Sequence, residues 1–339
     1  MSSTEPTNPG HSGAAAPSTP RFSYGGQAVI EGVMIRGQHF AAVAARRPDG
    51  EITTRLTPLN TLYTGAIRRI PLLRGVIVLA ETLVLGMQAL AYSANVSLQE
   101  EEKELGRWSM GLMLATSLGI AIGLFFLLPL FLVSIFDRTY DDALLSNIVE
   151  GIIRLSLFLA YVWGIGRLPD IKRVFAYHGA EHMAVKTYEA GEPLETSAVR
   201  RYTTAHPRCG TAFLLVVMLV AIVVFAFLGK PPMLLRILSR IVLIPVIAGV
   251  SYEVIRFSGK HQGNALVRAI MAPSLLLQLL TTRQPDDAQI EVAICAVQTA
   301  IAADEGRLLS ENTGAPEEPA VDASEVGQSE ESLPPSTPP

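Results

Sequence analysis

The sequence predicts a mainly α-helical polytopic membrane protein. It would have about four transmembrane helices, further interfacial or re-entrant helices, and a small N-terminal β-rich cytoplasmic subdomain. Three observations predict this. The 339 residues are 49% hydrophobic and only 17% charged, and mean hydropathy is positive despite two polar ends. The apolar residues fall in long unbroken runs, not in the short periodic stripes of a soluble core. Ahead of the first long run, short strand-like segments are separated by glycine-rich turn signals.

Residues 1–22 form a polar, Pro/Ser/Ala-rich leader without the apolar segment of a cleavable signal peptide, and their composition predicts disorder. A β-rich cytoplasmic subdomain follows over residues 23–60. Gly25 to Gly37 reads as one strand with glycine breaks at both ends. Residues 39–47 and 51–57 read as two more, joined at Pro48-Asp49-Gly50. On the first strand Gln27, Val29, Glu31, Val33 and Ile35 share a face. Glu31 thus sits among apolar neighbours and needs an arginine, a metal or a proton as partner.

Residues 61–98 carry an apolar helix over about 72–95, interrupted by Glu81 and Gln88. Its length would allow a span, but a crossing there would carry the strands to the far side, so it reads as interfacial or re-entrant. A charged linker, Glu100 to Glu104, comes next. Transmembrane helices are predicted at 109–136, 148–166, 211–228 and 237–255. Arg167 to Arg208 holds seven Lys/Arg, whereas Asp137 to Asn147 holds one, with three Asp. Positive-inside logic puts the first stretch and both termini in the cytoplasm. Residues 167–210 are then a cytoplasmic loop.

Residues 256–304 read as interfacial and amphipathic helices. The segment 266–280, with Pro273, is too short and broken for a span. Residues 286–304 place Ile290, Ala293, Ile294 and Val297 on one stripe, a surface for a soluble cytoplasmic partner. Residues 305–339 form an acidic, disordered tail. The net charge of −4 gives no basic excess for nucleic acid. Two cysteines, Cys209 and Cys295, imply no disulfide framework.

The chemistry concentrates in the 167–210 loop. His178 and His182 are spaced i, i+4, so on a helix both rings leave one face, with Glu181 between them: H-x-x-E-H. In inverted zincins this pattern supplies two zinc ligands and a carboxylate base. His206 and Cys209 add an imidazole and a thiolate that one ion could share. Glu253 and His261, at the end of the last span, could complete a first or second shell, as Glu31 could a second, although interfacial anchoring accounts better for the first two. A zinc ion with an open position would acidify a water, and Glu181 would take its proton. Four protein ligands would instead close the site and make it structural. The opposing reading is a non-catalytic membrane scaffold or assembly factor whose His/Cys knot is structural. A transporter is weaker, because the spans hold few ionisable residues, Glu150 and Arg154 near one end.

Several stretches together resemble one family: Gly25-Gly26-Gln27-Ala28-Val29-Ile30-Glu31-Gly32-Val33-Met34, Leu73-Arg74-Gly75, His178-Gly179-Ala180-Glu181-His182, His206-Pro207-Arg208-Cys209-Gly210-Thr211 and Thr281 to Asp287. They resemble the YqhQ-like bacterial membrane proteins, a domain of unknown function described as predicted metal-dependent enzymes. The resemblance covers about residues 24–299. It implies metal positions at His178 and His182, with His206 and Cys209 beside them, and an acid/base role for Glu181. Met183 stands where relatives commonly carry Lys, and Gln284 where they commonly carry Glu; neither is a proposed ligand.

Overall fold

A computed structural model describes residues 22–59, 70–98, 107–136, 142–261 and 263–307. The leader through residue 21, the charged linker at 100–104 and the tail beyond 307 lie outside the described residues.

The N-terminal segment folds as an antiparallel meander of β1 (Gly25–Val29), β2 (Gly32–Arg36), β3 (Phe40–Arg46) and β4 (Ile52–Pro58). The β3–β4 hairpin closes at Pro48-Asp49-Gly50 as its turn chemistry requires, with Gly50 at φ 95°. The predicted first strand is in fact two. Ile30 and Glu31 form a tight turn, and Glu31 takes φ 50°, a left-handed conformation uncommon outside glycine. Register pairs Val29 with Gly32 and Gly25 with Arg36.

Both faces of the sheet are covered. Val33, Ile35, Ala42 and Ala44 point to one core, and Met34, Ala41, Val43 and Ala45 to another. This is why β2 and β3 read as nearly continuous apolar runs. The first core is completed by α5 (Pro169–Ala190) and α11 (Asp287–Asp304). The second is completed by Leu85, Ala89 and Tyr92 in the latter half of α1 (Leu73–Leu98). The first half of α1 crosses α9 (Ile244–Lys260), where Gly75 and Gly249 let the backbones touch. A Cβ on Gly249 would lie 2.8 Å from the Leu72 carbonyl oxygen.

The apolar bundle contains α2 (Arg107–Ile122), a π-helical turn (Gly123–Leu127) and α3 (Leu128–Phe136) as one long segment. It continues with α4 (Ala143–Ile165), then α7 (Gly210–Phe227), α8 (Met233–Val242), α9 and α10 (Ala265–Thr281). Four helical segments among the described residues are long and apolar enough to cross a membrane: Leu73–Leu98, Gly111–Ile135, Ala143–Ile165 and Gly210–Phe227. The segment predicted as interfacial or re-entrant thus meets the same length and apolarity as the spans. The predicted single helix at 237–255 is corrected: it is a pair, α8 and α9, bent by 45° at Leu243. Pro245 accounts for the break, since it has no N–H and its ring clashes with the carbonyl four residues back.

The bundle also holds charges that the sequence reading undercounted. Arg236 and Arg240, one turn apart on α8, join Glu150 and Arg154 of α4, and all four are buried. Arg240 donates to Glu150 at 3.1 and 2.6 Å, Arg154 at 2.5 Å and Arg236 at 3.4 Å. Arg240 also reaches Asn147 Oδ1 at 2.9 Å, and Arg154 Nε reaches the Phe125 carbonyl in the π-helical turn at 2.8 Å. Phe225 lies under the guanidinium carbons of Arg154 and Arg240, at 5.0 and 4.1 Å.

The C-terminal helix corrects another expectation. The stripe Ile290, Ala293, Ile294 and Val297 is buried against the sheet and α5, so it is core and not a free docking face. Its capping box at Asp286 and Gln289 fixes its start.

Candidate metal centre

Residues 167–210, predicted as a loop, fold over their first half into α5. Pro169 at the helix start is pre-set in φ and spares an N–H with no intrahelical partner. Gly191, at φ 77°, ends the helix by donating its N–H to the Thr187 and Tyr188 carbonyls. His178 and His182 therefore do sit one turn apart on one face, with ring centroids 4.3 Å apart.

Each imidazole is oriented by a backbone carbonyl. His178 Nδ1 lies 2.8 Å from the oxygen of Thr281, in the last turn of α10, where helix carbonyls have no internal partner. His182 Nδ1 lies 2.5 Å from the Thr204 oxygen. A carbonyl only accepts, so both rings carry hydrogen on Nδ1 and turn the Nε2 lone pair inward. Cys209 supplies the third donor from the N-cap of α7, its sulfur 3.1 Å from His178 Nε2 and accepting the Thr211 N–H at 3.3 Å.

The donor atoms of His178, His182 and Cys209 lie within 4.8 Å of one another. A tetrahedral zinc ion needs nitrogen and sulfur donors about 3.5 Å apart. Two imidazoles and a thiol of a buried cysteine suit that ion, and the donor set fits it.

His206 does not join this trio. Its ring centroid is 5.5 Å from that of His182, and its Nε2 faces Glu189 Oε2 at 3.5 Å. Its Nδ1 accepts the Arg208 N–H at 3.3 Å. Gln278, fully buried on α10, holds the His206 backbone at both ends: it accepts the N–H at 2.7 Å and donates to the carbonyl at 2.8 Å. Arg208 ion-pairs with Glu189 as well. Burial alone would raise the Glu189 carboxyl, but His206 and Arg208 hold it below its usual range.

Glu181 is buried beside the trio, its Oε2 3.5 Å from His182 Nε2. Burial pushes its carboxyl above the ordinary carboxylate range, opposed by His178, His206 and the backbone N–H of Gly26. The β1 glycine pair thus brings an amide to the carboxylate, a role that the motif alone did not reveal. Gly26 must be glycine here, because a Cβ would lie 2.1 Å from the Met34 carbonyl oxygen.

The other residues expected near the site have partners of their own. Glu31 pairs with Arg173 at 2.6 and 2.5 Å and accepts from Tyr177 at 3.2 Å, which ties the β1–β2 turn to α5. Its partner is an arginine, one of the three options the sequence left open. Glu253 is paired with Arg74. His261 is exposed at the end of α9, bonded to the Phe257 carbonyl at 2.9 Å and stacked on that ring.

Gly179, inside the His motif, has a steric reason of its own. A Cβ there would stand 2.2 Å from the Arg283 carbonyl oxygen, where the segment after α10 crosses α5. Gly179→Ala is expected to push that segment outward, loosen the Thr281 carbonyl from His178 and cost about 1–3 kcal/mol. A lowered thermal midpoint with weaker metal retention in the detergent-purified variant would be the readout.

Fold and site together define a helix-rich protein with apolar segments of membrane-spanning length. It carries a His/His/Cys centre, half-buried at His178 and buried at His182 and Cys209, and the neighbouring Glu181 meets the small antiparallel sheet at Gly26. The family "Protein of unknown function (DUF1385)" matches residues 70–303. The chain is 35% identical over 287 residues to the "Uncharacterized protein YqhQ" of Bacillus subtilis (strain 168), covering 80% of this chain and 90% of that protein. The chain therefore belongs to the DUF1385, YqhQ-like family, in agreement with the resemblance carried by its motifs. No solved structure matches it.

Proposed function

We propose that the chain is a metal-dependent hydrolase of the bacterial inner membrane. Zinc would be held by His178, His182 and Cys209, and Glu181 would be the proton carrier. The observation that carries this reading is the convergence, among the described residues, of three donors and not four, with His206 retained by Glu189 and Gln278. Three protein ligands leave a coordination position for substrate or water, whereas a fourth would close the site. A zinc ion there would act as a Lewis acid and acidify water. The chain's own residues do the rest. The Thr281 and Thr204 carbonyls fix the tautomers, Gly26 orients Glu181, and burial raises the Glu181 carboxyl above the ordinary carboxylate range, which favours its taking up a proton. A carboxylate beside His182 has no task in a purely structural knot, and the apolar stripe of α11 that a scaffold would offer a partner is already covered.

A cytoplasm-facing site in a multi-pass protein, with both termini cytoplasmic, is supported by charge and by crossing parity. The sheet, α5 and α11 share one core, so they occupy one side of any bilayer. An even number of crossings must then separate β4 from α5, and α5 from α11. The segment 111–135 and α4 supply the first pair, and α7 with the α8–α9 pair supplies the second. On this count α1, for all its length, enters without crossing. The seven basic residues of 167–208 put that side inside.

The test is elemental analysis of detergent-purified protein. Wild type is expected to hold about one zinc per chain, and His178→Ala and His182→Ala none. Glu31→Gln, Glu253→Gln and His261→Ala should match wild type. Glu181→Gln should keep the metal and lose activity in a hydrolase screen. Wild type without metal after zinc add-back would overturn the reading.

A further inference from the structure

A cleft of about 420 Å³ opens one helical turn beyond the His pair. Lys186 continues the His178, His182 row at i+4, so the metal-bearing face of α5 runs directly into it. The loop holding His206 forms one rim through Thr203, and α10 forms the opposite wall through Val267, Arg268, Met271 and Leu275. A volume of this size is within the range of small-molecule sites.

Two features fix the chemistry of its occupant. First, the lining contains two cations and no carboxylate. Lys186 Nζ donates to Thr203, at 2.8 Å to Oγ1 and 3.4 Å to the carbonyl, has a third N–H to offer, and feels the Glu189 carboxylate electrostatically from outside the lining. Arg268 is exposed, and its guanidinium has no ion pair or hydrogen bond among the described residues. Second, the apolar wall does not end at the mouth. Leu279 follows Leu275 by one turn on the same face and is 66% exposed, and Leu276 beside it is 63% exposed. A ligand that satisfies both features has an anionic head and a hydrocarbon tail.

The geometry points to an anionic phospholipid as the ligand of this cleft. Its phosphate would lie between Lys186 and Arg268, and an acyl chain would run out along α10. This names the substrate class for the hydrolase reading and rests on it for turnover; binding itself needs no metal. The position suits the task, since the head group would lie one turn from His182, with the tail in the bilayer.

The test measures binding apart from chemistry. The full chain in detergent is titrated with dioleoyl-phosphatidylglycerol in mixed micelles, with dioleoyl-phosphatidylcholine and inorganic phosphate in parallel, and bound lipid is counted by native mass spectrometry. Phosphatidylglycerol is expected to bind about thirtyfold more tightly than phosphatidylcholine, given about fivefold per cation. Arg268→Ala, which removes an exposed side chain and spares the fold, should lose about fivefold, as should Lys186→Met. Met271→Trp should fill the cleft and weaken both lipids. Equal affinity for the two lipids, or an Arg268→Ala variant equal to wild type, would overturn the inference. Full competition by inorganic phosphate would also overturn it, in favour of a soluble anion. His182→Ala separates the two readings, because it should lose the metal and still bind phosphatidylglycerol. Lipid bound by a wild type that holds no zinc would sink the hydrolase alone. Zinc without lipid selectivity would sink the lipid site alone.

Discussion

Glu150→Ala is expected to leave little folded protein. Glu150 faces three buried guanidinium groups, and it accepts from all of them. Its removal takes away the carboxylate that Arg154, Arg236 and Arg240 share in an apolar bundle, while Arg240 keeps Asn147 and the face of Phe225 and Arg154 keeps the Phe125 carbonyl. Breaking a buried ion pair from one side costs about 3–5 kcal/mol, a large share of a typical total of about 5–15 kcal/mol. Arg154→Met should be much milder, since it removes one of three like charges and substitutes a side chain that can fill the space. The check is the thermal midpoint and the monodisperse yield of both variants in detergent. Equal midpoints for Glu150→Ala and wild type would show that the cluster holds nothing together.

The second large effect separates two residues that lie three apart in sequence. Cys209→Ala is expected to abolish zinc retention, because it removes one of the three donors that converge among the described residues. His206→Ala is expected to keep the metal at an affinity about 10–100-fold lower, the usual cost of losing an orienting neighbour. Competition with a chelator of known affinity measures both. Equal losses in the two variants would place His206 among the ligands, close the coordination sphere and return the centre to a structural role.

Why could the sequence not tell His206 from Cys209? Their spacing is compatible with one ion, and nothing local decides between them. The decision comes from Gln278, 72 residues away, which clamps the His206 backbone, and from Glu189, which takes its ring. A glutamine inside the apolar run of α10 was a visible anomaly, but its partner was not. By contrast the His178, His182 pair and the β3–β4 hairpin were legible, because a helical turn and a Pro-Asp-Gly turn are decided within a few residues. The β1–β2 turn was missed because Ile30-Glu31 carries no turn residue. It is held instead by Arg173, 142 positions later. The α8–α9 break did have a local signal in Pro245, which the apolar surroundings outweighed. The Arg236, Arg240 pair, one turn apart, likewise had a local signature, but only the fold supplies Glu150 as their common acceptor.

The way Gly26, His182, Thr281 and α11 come together has a consequence for how the protein is made. The strands leave the ribosome first, with apolar residues on both faces, and Val33 and Ile35 wait for Ile290 and Val297. At about 5–20 residues per second, roughly 10–50 s of synthesis separate the two, during which the apolar helices of the bundle are made. The site matures last: a chain halted before Thr281 has both histidines and the cysteine, but no carbonyl to set the His178 tautomer. On the proposed zinc reading, metal capture would wait until Thr281 has been made, and a chain halted earlier would have no finished centre to load.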